Sequence, residues 1–128
     1  MIQEVTEAID QLKVAYPSSA VTVAEDGQGG AFVIVETVDL GERYEPRTTW
    51  MGGHITPFYP AADIYPMFID ASVTRTHGKP FEAPVTHGAS FQGRGALQVS
   101  RINRQVQHGV QTAVIKFAKV VHFLETLP

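Results

Sequence analysis

Cysteine is absent from the 128 residues of this chain. That removes disulfide staples, thiolate metal ligands and any cysteine nucleophile, and it leaves the redox compartment unread. An excess of positive charge is also missing, with ten Lys and Arg against thirteen Asp and Glu and a net charge of −3. Such a chain lacks the basic face that neutralises phosphates, so no nucleic-acid partner is expected. No apolar run approaches membrane-spanning length, and residues 1–5 carry neither a basic n-region nor an apolar h-region. The expectation is therefore a cytoplasmic protein with no membrane partner. Repeats and low-complexity stretches are missing as well.

What is present is the composition of a globular protein, 44% apolar and 18% charged. The length fits one domain over residues 1–128, able to bury roughly two thirds of its unfolded surface without a metal or disulfide. Ile2, Val5, Ile9, Leu12 and Tyr16 recur at helical spacing, with Ala8 and Ala15 on the same stripe. They predict a helix over residues 2–16 that ends at Pro17. Val21 and Val23 alternate with Thr22 and Ala24 as a short strand does, and residues 25–30 supply turn chemistry before a β-rich run over 31–35 and Val38. Residues 40–46 read as a polar connection. A third strand is predicted over 48–51 and 54–56, with Gly52-Gly53 marking a bulge or a close approach by another backbone.

Prolines at 57, 60 and 66 then predict an extended, stiffened corner, followed by a fourth strand over 67–73. Residues 74–95 contain Gly78, Pro80, Pro84, Gly88, Gly93 and Gly95, and read as one long ordered loop of the kind that usually serves function. Leu97-Gln98-Val99 adds a short extended piece. From about residue 106, Val106, Val110, Val114, Phe117, Val121 and Leu124 form the stripe of a C-terminal helix. The expected fold is α+β, with a four-stranded antiparallel sheet between residues 20 and 74 and both helices on one face.

Several chemistries are excluded by spacing. Gly27-x-Gly29-Gly30 lacks the lysine and the following helix of a phosphate loop. The histidines at 54, 77, 87, 108 and 122 include no helical pair with an intervening glutamate, so no metal is expected, and no cofactor either. A Gly-x-Ser-x-Gly elbow for a serine hydrolase is absent. The arginines at 94, 101 and 104 are either solvated surface or a local dock for an acidic partner.

The stretch Gly93-Arg94-Gly95-Ala96-Leu97, after the loop and before the last helix, resembles the ubiquitin-conjugating (E2) superfamily, particularly its bacterial members. In that family a Gly-x-x-Cys-Leu run carries the nucleophile. Here the frame is intact and Ala96 stands where the cysteine belongs. The corner at Tyr59-Pro60 to Pro66 resembles the family's Tyr-Pro-x-x-x-Pro corner, with the spacing stretched. The resemblance implies an E2-like fold whose long loop covers the active site. It implies a carrier that accepts a ubiquitin-like modifier as a thioester from an E1-like activating enzyme, catalytically inert without the cysteine.

The same resemblance points to His87, nine residues before Ala96, where eukaryotic members carry His-Pro-Asn. The histidine matches, while Gly88 and Ala89 replace the proline and asparagine, which removes an asparagine-based oxyanion support. His87 is left as a base for an incoming amine or as a loop anchor. Ser100-Arg101 resembles a Ser-Arg pair that follows the cysteine in some bacterial relatives, where the arginine offers charge-assisted hydrogen bonds. Three readings remain open: an E2 whose cysteine was replaced by Ala96, a naturally non-catalytic E2 variant that binds ubiquitin-like proteins or their enzymes, and an unrelated α+β interaction domain.

Overall fold

The computed structural model describes residues 1–101 and 112–128. The first helix, α1 (Gln3–Ala15), buries Val5, Ala8, Ile9 and Leu12, the stripe the sequence shows. Four strands follow as expected in one antiparallel sheet: β1 (Val21–Glu25), β2 (Ala31–Asp39), β4 (Thr48–Ile55) and β5 (Met67–Asp70). Residues 57–66 form turns, with no helix among them.

The sheet does not stop at four strands. β7 (Val85–Phe91) and β8 (Arg94–Val99) extend it to six, in the order β1-β2-β4-β5-β8-β7. The long loop expected over 74–95 is therefore corrected. It contains the short β6 (Thr74–Arg75), all of β7, and the start of β8. Gln92 and Gly93 both have positive φ, 51° and 78°, which is the two-residue turn that matches the twist of paired strands. Of the glycines and prolines that suggested loop, Pro84 and Gly93 lie at turns, Gly88 with φ 81° lies at a register shift between Thr86 and Ala89, and Gly95 lies inside β8.

Two smaller corrections concern residues 40–55. Leu40 and Tyr44 are buried, and β3 (Tyr44–Glu45) pairs with β6 in a separate two-stranded sheet, so this is more than a polar connection. Gly52 and Gly53 sit in regular pairing within β4, and the irregularity lies on β2 between Val35 and Val38. A close approach by backbone holds only at Gly52, while Gly53 is crowded by side chains. A Cβ on Gly53 would lie 2.6 Å from Ile64, and one on Gly52 would lie 2.8 Å from both the Phe91 ring and the Val33 carbonyl oxygen.

The second helix, α2 (Ala113–Glu125), is capped by the Thr112 hydroxyl, which accepts from Ile115 N. The start predicted near residue 106 lies outside the described residues. Ala113, Phe117, Val120 and Leu124 form its buried face. Both helices pack on one face of the sheet, against Val33, Val35, Met51, Ile55, Met67, Ile69, Leu97 and Val99. The opposite face carries a second, smaller cluster of Ile34, Trp50, Phe91 and Ala96. No described helix is long and apolar enough to cross a membrane.

Candidate functional site

Ala96 lies in the middle of β8, opposite Asp70 of β5 and Ala89 of β7. Strand alternation turns it away from the helices. Its exposure is 1% because aromatic rings close over it. The turn at Gln92-Gly93 brings Phe91 back over the sheet, where Gly52 leaves room for the ring. There Phe91 stacks on Phe68 at 4.7 Å and lies 6.3 Å from Trp50.

Polar contacts hold this cover in place. The Arg94 guanidinium donates to both Glu36 carboxylate oxygens, at 2.7 and 2.8 Å, and lies 5.4 Å over the Trp50 ring. Trp50 Nε1 donates to Asp70 Oδ1 at 3.1 Å. The Arg94 hydrogen bonds hold the Glu36 carboxyl below its usual range, and the Ser72 hydroxyl does the same for Asp70. Farther along the face, Asp26 accepts from Gln28 N and Gly30 N and meets His54 Nε2 at 2.7 Å, which lowers its pKa. That contact fixes the β1–β2 turn.

Of the other residues singled out in the sequence, His87 lies on β7, the strand beside Ala96, and each of them has contacts of its own. His87 is exposed beside the register shift in β7, its ring 6.4 Å from Phe81. Ser100 follows β8; its N–H donates to Pro84 O and its hydroxyl accepts from Gln98 Nε2. The Arg101 guanidinium lies 4.7 Å over Phe123 of α2. Arg94 and Arg101 are at opposite ends of β8 and have different partners, so they form no common dock, while Arg104 lies outside the described residues.

The proline corner is pinned from within. Tyr59 is buried and its hydroxyl accepts from Ala113 N at 3.0 Å. Asp63 Oδ2 receives Lys116 Nζ at 2.8 Å; that lysine is 3% exposed and also donates to Arg101 O at 2.8 Å. With its inner side fixed to the start of α2, the corner leaves Phe58 74% and Tyr65 43% exposed. A cleft of about 530 Å³ lies elsewhere, between the end of α1, β2 and α2, lined in part by Tyr16, Val38, Asp39 and Glu125.

The cover over Ala96 was missed from the sequence. Its one local signal is the Gln92-Gly93 pair between Phe91 and Arg94, a hairpin turn signature. The contacts that make it a cover, with Glu36, Trp50 and Gly52, are all distant in sequence. No protein-family model, no curated protein and no solved structure matches the chain. The E2 resemblance rests on the Gly93-x-x-Ala96-Leu97 frame and the proline corner.

Proposed function

We propose that this domain is a non-catalytic protein-binding module, which engages a ubiquitin-like protein or the E1-like enzyme that activates one. The observation that carries the reading is the burial of Ala96. Acyl transfer needs a thiolate that a protein thioester can reach. Alanine offers no nucleophile, and a thiol at this place would be shut in with Phe91 and Trp50. His87 lies by Phe81, Ser100 by Gln98 and Arg101 over Phe123, while the carboxylate of Asp70, the cross-strand neighbour of Ala96, is engaged by Trp50 and Ser72. These features support the binding reading over the acyl-carrier one.

The surface that suits binding is the proline corner. Large apolar side chains held out on a braced segment lose little conformational freedom when a partner covers them. Phe58 and Tyr65 meet that description. The test is an NMR titration of labelled domain with ubiquitin-like proteins and, separately, with an E1-like enzyme. Shifts should concentrate on residues 57–66, and Phe58→Ala should weaken binding about tenfold, the scale of an interface anchor. No response to either class of protein would sink the proposal.

A further inference from the structure

The two edges of the six-stranded sheet are built differently. At one edge β7 is broken by the register shift between Thr86 and Ala89 and by Gly88 with φ 81°. Such a kink is a common protection against strand-to-strand association. At the other edge β1 has none. Its five residues, Val21-Thr22-Val23-Ala24-Glu25, contain no proline, glycine or lysine and pair with β2 without interruption from Val21↔Val35 to Glu25↔Ala31.

The hydrogen-bond phase of β1 is fixed at both ends. Glu36 N donates to Ala20 O at 2.9 Å, and Asp26 N donates to Gly30 O at 3.1 Å. In an antiparallel ladder, positions that exchange bonds alternate with positions that do not. Residues 20, 22, 24 and 26 therefore direct their backbone groups to β2. Val21, Val23 and Glu25 direct theirs outward, to an edge that no other described strand covers.

We infer that β1 is a homodimerisation edge, on which a second copy of this chain pairs antiparallel about Val23. In that register Val21, Val23 and Glu25 face Glu25, Val23 and Val21 of the second copy. That makes three exchanging pairs with two bonds each, and every outward group of the strand is used. A centre at Thr22 or Ala24 leaves only two such pairs within the strand. The side chains agree with the symmetric register. Val21 and Val23 already pack against the main core, and joining Val23 to Val23 extends that apolar layer. Glu25 meets a valine instead of a second glutamate, so no like charges oppose each other. The result is one continuous sheet. It rests on sheet geometry alone and is independent of the protein-binding proposal.

An edge contact of five residues belongs to the small, reversible class of interfaces, so the dimer should assemble over roughly the micromolar to submillimolar range. The experiment is sedimentation equilibrium across that range on the wild-type domain and on Val23→Pro. Proline at position 23 removes an N–H that points away from β2, which an edge strand tolerates. The wild-type mass should rise from 14.0 kDa toward twice that value, while Val23→Pro should stay at 14.0 kDa. Amide exchange on the wild-type protein guards against a variant that fails to fold. The Val21, Val23 and Glu25 amides should gain protection as concentration rises, while Thr22 and Ala24 are protected throughout. A wild-type mass of 14.0 kDa at the highest concentration overturns the inference. So does a dimer that forms without concentration-dependent protection at Val23, or one that a folded Val23→Pro retains. Protection at Val23 that appears only when a different protein is added also overturns it, and makes β1 an edge for a foreign strand.

Discussion

Arg94 on β8 grips Glu36 on β2 through two charge-assisted hydrogen bonds, at 2.7 and 2.8 Å, and so fastens the hairpin tip across the sheet face. The two side chains are about one third exposed, at 34% and 28%, so the ion pair is worth roughly 1 kcal/mol. The guanidinium over Trp50 adds about 0.5–1 kcal/mol.

Arg94→Ala should therefore lower unfolding free energy by about 1–2 kcal/mol. Arg94→Lys should recover only part of that, because an ammonium cannot bridge both oxygens. Denaturant melts followed by Trp50 fluorescence give the measurement. Equal stability of wild type and Arg94→Ala would show that the pair fastens nothing.

Acid should weaken the fold in a defined direction. Arg94 lowers the Glu36 pKa, His54 lowers that of Asp26, Arg47 that of Asp39, and Ser72 that of Asp70. A carboxyl with a depressed folded-state pKa contributes stability that is complete above its unfolded pKa. That contribution is lost as pH falls through the folded value. Melting temperature should thus begin to drop near pH 4.5, the upper end of the ordinary carboxylate range, and continue downward below it. Glu36→Gln should flatten the profile. A profile unchanged by Glu36→Gln would remove that residue from the account.

The corner depends on a buried charge. Asp63→Ala would leave Lys116 ionised inside the protein without its carboxylate, at a cost of about 3 kcal/mol or more. Lys116→Met in the Asp63→Ala background should restore much of that loss, since the methionine needs no partner. Thermal melts of the single and double variants test this. A double variant no more stable than Asp63→Ala would contradict it.

Much of the fold is legible in the sequence because its signals are local. The stripe from Val5 to Leu12 and the β-rich run over residues 31–35 each reveal their element within one short helix or one strand. The sixth of the chain that misleads is the stretch from Thr74 to Gly95. There Gly88, Ala89, Ser90 and Gly95 give strands with few large side chains, so the alternation that marks β structure is nearly silent. The same silence affects the candidate site. Gly93-x-x-Ala96-Leu97 reads equally well as a loop with a nucleophile position and as a strand with Ala96 and Leu97 turned to opposite faces. Only the long-range contacts of Phe91 with Gly52 and of Arg94 with Glu36 decide between them, and no local pattern encodes those.

The most direct test of the central claim is the rate at which Ala96→Cys, the only thiol in the molecule, reacts with a soluble thiol reagent under native conditions. If the position is closed beneath Phe91 and Trp50, labelling must wait for the hairpin to open. It should then run about a thousandfold or more slower than in denaturant. A native rate within about tenfold of the denatured one would mean an open, solvated position fit to carry an acyl group, and would contradict the non-catalytic reading.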